Sequence, residues 1–157
     1  MKTNKIILLL LTAVLLLGCK PNNWLDWKAQ NQIWLQQNAK QPGVKTTHTG
    51  LQYKCLVPGK DNTPHIDDAK TVTIKYSGKL ITGHEFDASE KYTDFVYVFV
   101  PGFVEGLKLM KEFGVYEIYI PYELGYGVKG TGTEGTQKHI PPYSTLIFEM
   151  ELISLTK

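Results

Sequence analysis

The side chains able to do covalent, metal or phosphate chemistry are few in this sequence, and their spacing argues against each of those chemistries. His48, His65, His84 and His139 have no second ligand at metal-site spacing and no cysteine partner, so no metal is expected. Ser77, Ser89 and Ser144 lie in no nucleophile motif and have no base partner nearby in the chain. Gly130-Thr131-Gly132-Thr133-Glu134-Gly135 has the literal form G-x-G-x-x-G. Ile140-Pro141-Pro142 follows it, where a phosphate cradle needs a helix start, so the segment reads as a flexible flap. All 17 basic residues are lysines. Without arginine there are no bidentate clamps for phosphate or carboxylate, which counts against an anion-handling enzyme. No cofactor is expected.

The two cysteines read differently. Lys2 and Lys5 give the chain a basic start, and Ile6 to Leu17 is an apolar run interrupted only by Thr12. At about 12 residues the run is too short to span a bilayer and has the length of a secretory signal core. It ends in Leu16-Leu17-Gly18-Cys19, which resembles a lipobox. There Gly18 is the small residue before the cut, and the Cys19 thiol is acylated and becomes the new N-terminus. An ordinary signal peptide with an incidental cysteine, or an uncleaved anchor, explains less well why Cys19 stands where the apolar run stops. The expected organisation is a lipoprotein signal peptide over 1–18 and a tether over 19–23. The expected location is extracytoplasmic and membrane-anchored through the lipid on Cys19. Lys20, in place of an aspartate that retains some lipoproteins at the inner membrane, tilts toward the outer membrane. Removing Lys2 and Lys5 balances the remaining lysines against the acids, so the charge of +2 for the whole chain implies no nucleic-acid partner. Cys55, in Leu51-Gln52-Tyr53-Lys54-Cys55-Leu56-Val57, is expected to be a small buried hydrophobe on the face of Leu51 and Tyr53.

Trp24 to about Lys40 reads as a helix, with Asn23 as its N-cap and Asp26 as a favourable early acid. Trp24, Trp27, Trp34 and Leu35 share one side, and Leu25, Ala29 and Ile33 form a weaker second stripe. Docking on the domain is the favoured use of the tryptophans, over pairing two copies or resting near a membrane surface. Pro42-Gly43 ends the helix. From Leu51 the pattern becomes strand-like: Thr71–Leu80, Phe95–Val100, Tyr116–Ile120 and Thr145–Ile153. One further helix fits, about Phe103 to Lys111, with Phe103, Leu107 and Met110 on one face. Many strands around one short helix indicate an antiparallel α+β domain.

Five blocks, read in order, carry a resemblance. They are Val72-Thr73-Ile74-Lys75-Tyr76-Ser77-Gly78-Lys79-Leu80 and Gly83-His84-Glu85-Phe86-Asp87, then Val100-Pro101-Gly102-Phe103-Val104-Glu105-Gly106-Leu107-Lys108-Leu109-Met110. Ile120-Pro121-Tyr122-Glu123-Leu124-Gly125-Tyr126-Gly127 and Ile140-Pro141-Pro142-Tyr143-Ser144-Thr145-Leu146-Ile147-Phe148 complete the set. Together they resemble an FKBP-type peptidyl-prolyl cis/trans isomerase, a bacterial lipoprotein form, over residues 51 to 155. The resemblance implies a twisted antiparallel sheet wrapped around the short helix and preceded by the N-terminal helix. The helix and linker would occupy 24–50 and the isomerase domain 51–157. It further implies an aromatic pocket of Tyr76, Phe86, Asp87, Phe95, Phe99, Val100, Phe103, Tyr126, Ile140 and Phe148. Phe103 takes the floor position that is often tryptophan in the family, keeping a flat apolar floor without the indole N–H. Macrolide ligands are further partners that the resemblance brings in, weakened by that exchange more than catalysis is. The segment between Phe95 and Phe103 is shorter than in common members, and the Val128–His139 loop is longer than in the shortest.

Rotation about an X-Pro bond breaks no covalent bond. Its barrier of about 18–20 kcal/mol is the resonance lost as the amide twists. An apolar pocket favours the less dipolar twisted state over the planar amide, so enclosure by rings works without a general base. An acceleration of roughly 10⁴-fold needs only about 5.5 kcal/mol of differential stabilisation. As the resemblance implies, the Val100 N–H anchors a substrate carbonyl, the Tyr126 hydroxyl is a second donor, and Asp87 orients from the rim with help from Tyr76. A turn-stabilising carboxylate is the alternative for Asp87, and for Phe95 and Phe148 a shared role as core. The expected function is isomerisation in extracytoplasmic proline-containing proteins. The rival is an FKBP-fold chaperone or binding module with little turnover.

Overall fold

A computed structural model describes residues 24–61, 64–68 and 70–156. Cys19, the expected signal peptide and the expected Asn23 cap lie outside the described residues. Helix α1 spans Trp24–Asn38 and α2 spans Pro101–Lys108. The strands are β1 (Val44–Thr46), β2 (Gln52–Val57), β3 (Thr71–Lys79), β4 (Glu85–Phe95), β5 (Val115–Ile120) and β6 (Leu146–Thr156). They form one sheet in the order β1-β2-β5-β6-β3-β4, every pairing antiparallel. The twisted antiparallel sheet with one short helix against it and a second helix ahead of it is the α+β architecture that the strand pattern predicts.

Two strands escape the sequence reading, and one expected strand is absent. β4 is polar along most of its length because it is an edge strand, paired only to β3, with most of its side chains at the surface. β1 has only three residues, inside the stretch read as linker. Phe95 is the last residue of β4, and Val96–Val98 forms a 3₁₀ turn, so the β-rich composition of Phe95–Val100 does not make a strand there. With Val96 fully buried and Tyr97 and Val98 exposed, this turn serves as the corner that feeds α2. Pro101, pre-set for a first helical turn, starts α2 two residues before Phe103.

The core is packed on the inner face by Val72, Ile74, Phe103, Leu107, Ile118, Leu146, Phe148 and Met150, all buried. α2 sits directly on β5 because Gly106 has no side chain: a β-carbon there would run into Ile118. The outer face is covered by α1 through directed bonds. Trp27 Nε1 donates to Ser144 Oγ (3.0 Å), and the Thr145 N–H donates to Asn31 Oδ1 (2.7 Å). Gln52 Nε2 donates to the Leu35 carbonyl (2.9 Å), and Asn38 Nδ2 donates to Gln52 Oε1 (2.9 Å). Trp34 packs its ring 5.7 Å from Tyr119, and Lys28 Nζ lies over the rings of Tyr143 and Tyr122 at 5.2 and 5.5 Å. The tryptophan side of α1 therefore docks on the domain, and Leu25 and Ile33 stay exposed.

Cys55 is exposed, contrary to the buried position expected of it. β1 accompanies β2 only as far as Lys54, and a register shift follows between Cys55 and Val57, so this end of β2 runs out beyond its cover. Among the described residues no helix is long and apolar enough to cross a membrane.

Candidate functional site

Between the β3–β4–β6 side of the sheet and the start of α2 lies a cavity of about 440 Å³. Its floor is Phe103, which Pro101 and the first turn of α2 push against the sheet. The Phe103 ring stacks on Phe99 at 4.6 Å and meets Phe148 edge-on at 4.9 Å and Tyr76 at 6.1 Å. Phe86 meets Phe148 edge-on at 5.5 Å. Gly78, between them on β3, makes this closure possible: a β-carbon would lie 2.5 Å from Phe148 Cε1 and 2.8 Å from Phe86 Cε2. The pleat explains the rest, since Tyr76 and Gly78 share one face of β3, and Gly78 pairs with both Phe148 and Asp87.

The polar groups stand at the rim. Tyr76 Oη donates to Asp87 Oδ2 at 2.8 Å. Burial first, and then this bond, hold the Tyr76 hydroxyl well above the usual phenol range. Burial, followed by the Asp87 charge, raises Tyr126 as well, so both phenols remain protonated donors at neutral pH. Lys138 Nζ is 4.0 Å from Asp87 Oδ1 with both side chains solvated, a pairing of little energetic weight. Val100 caps α2 with extended backbone, its carbonyl taken by the N–H groups of Phe103 and Val104. Among the described residues no acceptor meets the Val100 N–H itself. A flap closes one side: Thr131 and Ile140 exchange backbone bonds of 2.9 and 2.8 Å, and His84 Nε2 lies 2.8 Å from the Gln137 carbonyl. The result is an enclosure of rings with a few polar groups at its edge.

A family model described as FKBP-type peptidyl-prolyl cis-trans isomerase matches residues 62–153. The chain belongs to this family. A second, described as the domain amino terminal to FKBP-type peptidyl-prolyl isomerase, matches residues 25–55, which include α1 from its second residue. The FKBP-type 22 kDa peptidyl-prolyl cis-trans isomerase of Escherichia coli is 39% identical over 131 residues, covering 81% of this chain and 60% of that protein. The protein named Outer membrane protein MIP of Legionella longbeachae is 37% identical over 134 residues, covering 83% of this chain and 54% of its own length. The chain thus spans little more than half the length of these relatives. The crystal structure of FkpA from Escherichia coli superposes with a TM-score of 0.76 at 38% identity, over 84% of this chain and 60% of that one. A peptidyl-prolyl cis-trans isomerase from Pseudomonas syringae superposes at 0.75 and 26% identity, over 85% of this chain and 96% of its own.

Within this FKBP-type fold the cavity gathers nearly all of the residues expected there. Tyr76, Phe86, Asp87, Phe99 and Val100 line it, as do Phe103, Tyr126, Ile140 and Phe148. Phe95 does not. It is 44% exposed and stacks on Tyr97 at 5.3 Å, because β4 ends there and the 3₁₀ turn carries the pair to the surface. Besides Phe86, β4 brings the Tyr92 ring to this region, edge-on to Tyr76 at 6.2 Å and to Phe99 at 6.0 Å. Sequence reading passed over it because β4 itself was not recognised. Val98, Thr131, Gly132 and Lys138 also line the cavity. The last three sit on the flap, whose Gly-rich composition marked it as mobile chain near the site but gave no register.

Proposed function

We propose that the chain is a peptidyl-prolyl cis/trans isomerase acting on X-Pro bonds of extracytoplasmic proteins. The observation that carries this reading is the ring enclosure around Phe103, whose lining includes Val100, with an N–H that meets no acceptor among the described residues. A prolyl ring laid on Phe103 leaves water. Its imide then twists among Tyr76, Phe86, Phe99 and Phe148, where the planar, more dipolar ground state loses its solvation and the twisted state loses less. The Val100 N–H holds a substrate carbonyl, which keeps one side of the twisting bond fixed while the other turns. The Tyr126 hydroxyl is the second donor. Asp87 orients Tyr76 and the rim, with no proton transfer required. The test is the cis-to-trans rate of a short Xaa-Pro-Phe peptide with the chain and with Phe103→Ala. The expected result is acceleration that falls by about two orders of magnitude in the variant, the loss of roughly 2.7 kcal/mol of transition-state stabilisation. No acceleration from folded wild-type protein would defeat the proposal.

A second reading is favoured by one observation. Phe95, Tyr97 and Val98 form an exposed apolar row beside the cavity, as a chaperone or binding module with little turnover would need. A refolding client with its slow proline changed to alanine separates the two, since an isomerase no longer accelerates it.

The sequence supports residues 51–157 as the isomerase domain, 24–50 as helix and linker, and 19–23 as a tether from a lipidated Cys19 after cleavage of 1–18. Macrolides are proposed to share the cavity, with Phe103 offering them an apolar floor and no indole donor. The membrane anchor is tested by Cys19→Ala: release into the soluble fraction is the expected outcome, and continued membrane retention contradicts lipidation.

A further inference from the structure

On the far side of Phe99 from the cavity lies a groove of about 660 Å³ along the outside of α2. Its apolar surface comes from Tyr97, Phe99, Pro101, Val104 and Leu109. We propose that this groove docks apolar residues of the same substrate chain, those next in sequence to the proline held over Phe103. The proposal rests on the reading of the cavity as the prolyl site.

The first argument is continuity. Phe99 is a wall of both cavities, and Val98, which lines the prolyl cavity, adjoins Tyr97, which lines the groove. An extended chain leaving the cavity at Phe99 meets the groove as its next surface. The second argument is charge. The ionised side chains bordering the groove are engaged within the protein: Lys108 Nζ pairs with Asp68 at 2.7 Å, and Glu105 accepts the Thr49 hydroxyl at 2.7 Å. With those charges engaged, and Thr47 and His48 as the other polar lining, the ring and aliphatic surface of Tyr97, Phe99, Pro101, Val104 and Leu109 favours aromatic and branched residues in an occupant. The third argument is exposure. Tyr97 is 63% exposed and Val98 47% exposed, in a turn whose remaining residue, Val96, already supplies the buried contact. Folding does not require an aromatic at 97, whereas a site gripping an unfolded client does.

The experiment measures two peptide series with the full chain. One carries leucine and phenylalanine on both sides of the proline and the other carries serine there, at equal length; a tetrapeptide too short to leave the cavity is the reference. The expected result is a KM about tenfold lower for the apolar series, lost in Tyr97→Glu and restored in Tyr97→Phe, with tetrapeptide turnover unchanged. Equal KM values for the two series in the wild type overturn the proposal. So does a Tyr97→Glu effect that is the same on the tetrapeptide. Anisotropy of a labelled apolar peptide reads docking without turnover, which separates failure of the isomerase reading from failure of this one. Binding weakened about tenfold by Tyr97→Glu supports the groove even if no peptide is isomerised. Binding unaffected by Tyr97→Glu, or a Tyr97→Glu effect confined to self-association of the chain or to lipid vesicles, overturns it.

Discussion

The two faces of the sheet are held by different physics. On the inner face, α2 and the strands meet through rings and small residues: Phe103 against Phe99 and Phe148 at 4.6 and 4.9 Å, and Gly106 against Ile118. On the outer face, α1 is fixed by directed bonds of 2.7 to 3.0 Å from Trp27, Asn31, Asn38 and Gln52. Apolar contact has no preferred direction, so a wall of rings can enclose a group that turns while it is held. Hydrogen bonds fail when their geometry changes, so they suit a seat in which nothing moves. The ring-lined cavity, on β3, β4 and β6, and the fixed seat, on β2, β5 and the Ser144–Thr145 lead into β6, thus use different parts of one sheet.

The largest expected effect comes from breaking the inner face. Phe103→Ala removes a ring that is both core and cavity floor, and should cost about 3–5 kcal/mol of stability on denaturant titration, besides the loss of turnover. Asn31→Ala breaks the outer face. Asn31 is 1% exposed and uses both amide atoms, donating to the Trp27 carbonyl and accepting from the Thr145 N–H. Its loss leaves a buried N–H unpaired and should cost about 1–3 kcal/mol. Turnover by the folded fraction should stay at the wild-type level. A large loss of turnover in Asn31→Ala, measured where the variant is fully folded, would show that the two faces are coupled and end the comparison.

The inner face was the more legible from sequence. Alternation in Thr71–Leu80 and Thr145–Ile153 encodes one-sided burial, and the aromatic residues of the blocks around Tyr76, Phe86, Phe103 and Phe148 converge once those strands pair. Tyr92 and Phe95 exchanged importance because a polar edge strand carries little periodic signal, and a 3₁₀ corner rich in β-branched residues imitates a strand. On the outer face the tryptophan stripe pointed to docking. The buried amides that fix the seat did not stand out, because an asparagine or glutamine in a polar helix reads as solvated until its partner strand is known. Cys55 shows the limit of a face argument: alternation gives the side of a strand, while its cover depends on where the neighbouring strand stops.

The smallest predicted effect is alkaline, and it sharpens the comparison because both faces share it. Burial, followed by bonds to Asp87 and Glu117 respectively, raises Tyr76 on the inner face and Tyr119 on the outer. Burial likewise pushes Tyr116 up to about 12. A phenol with a raised folded pKa holds its proton in the native state at pH values where the unfolded chain has released it. Its contribution is therefore complete below the ordinary phenol value of 10.0 and lost as pH rises through the folded value. Stability measured by denaturant titration should hold up to about pH 10 as far as the tyrosines are concerned and then fall. Tyr76→Phe and Tyr119→Phe should each make that fall shallower by a similar amount. Turnover at neutral pH should separate them: Tyr76→Phe frees Asp87 at the cavity rim and lowers it several-fold, about 1 kcal/mol in the barrier. Tyr119→Phe, facing α1, leaves turnover unchanged. Equal turnover in the two variants would mean that the Tyr76–Asp87 bond shapes the native fold alone and takes no part in holding the substrate.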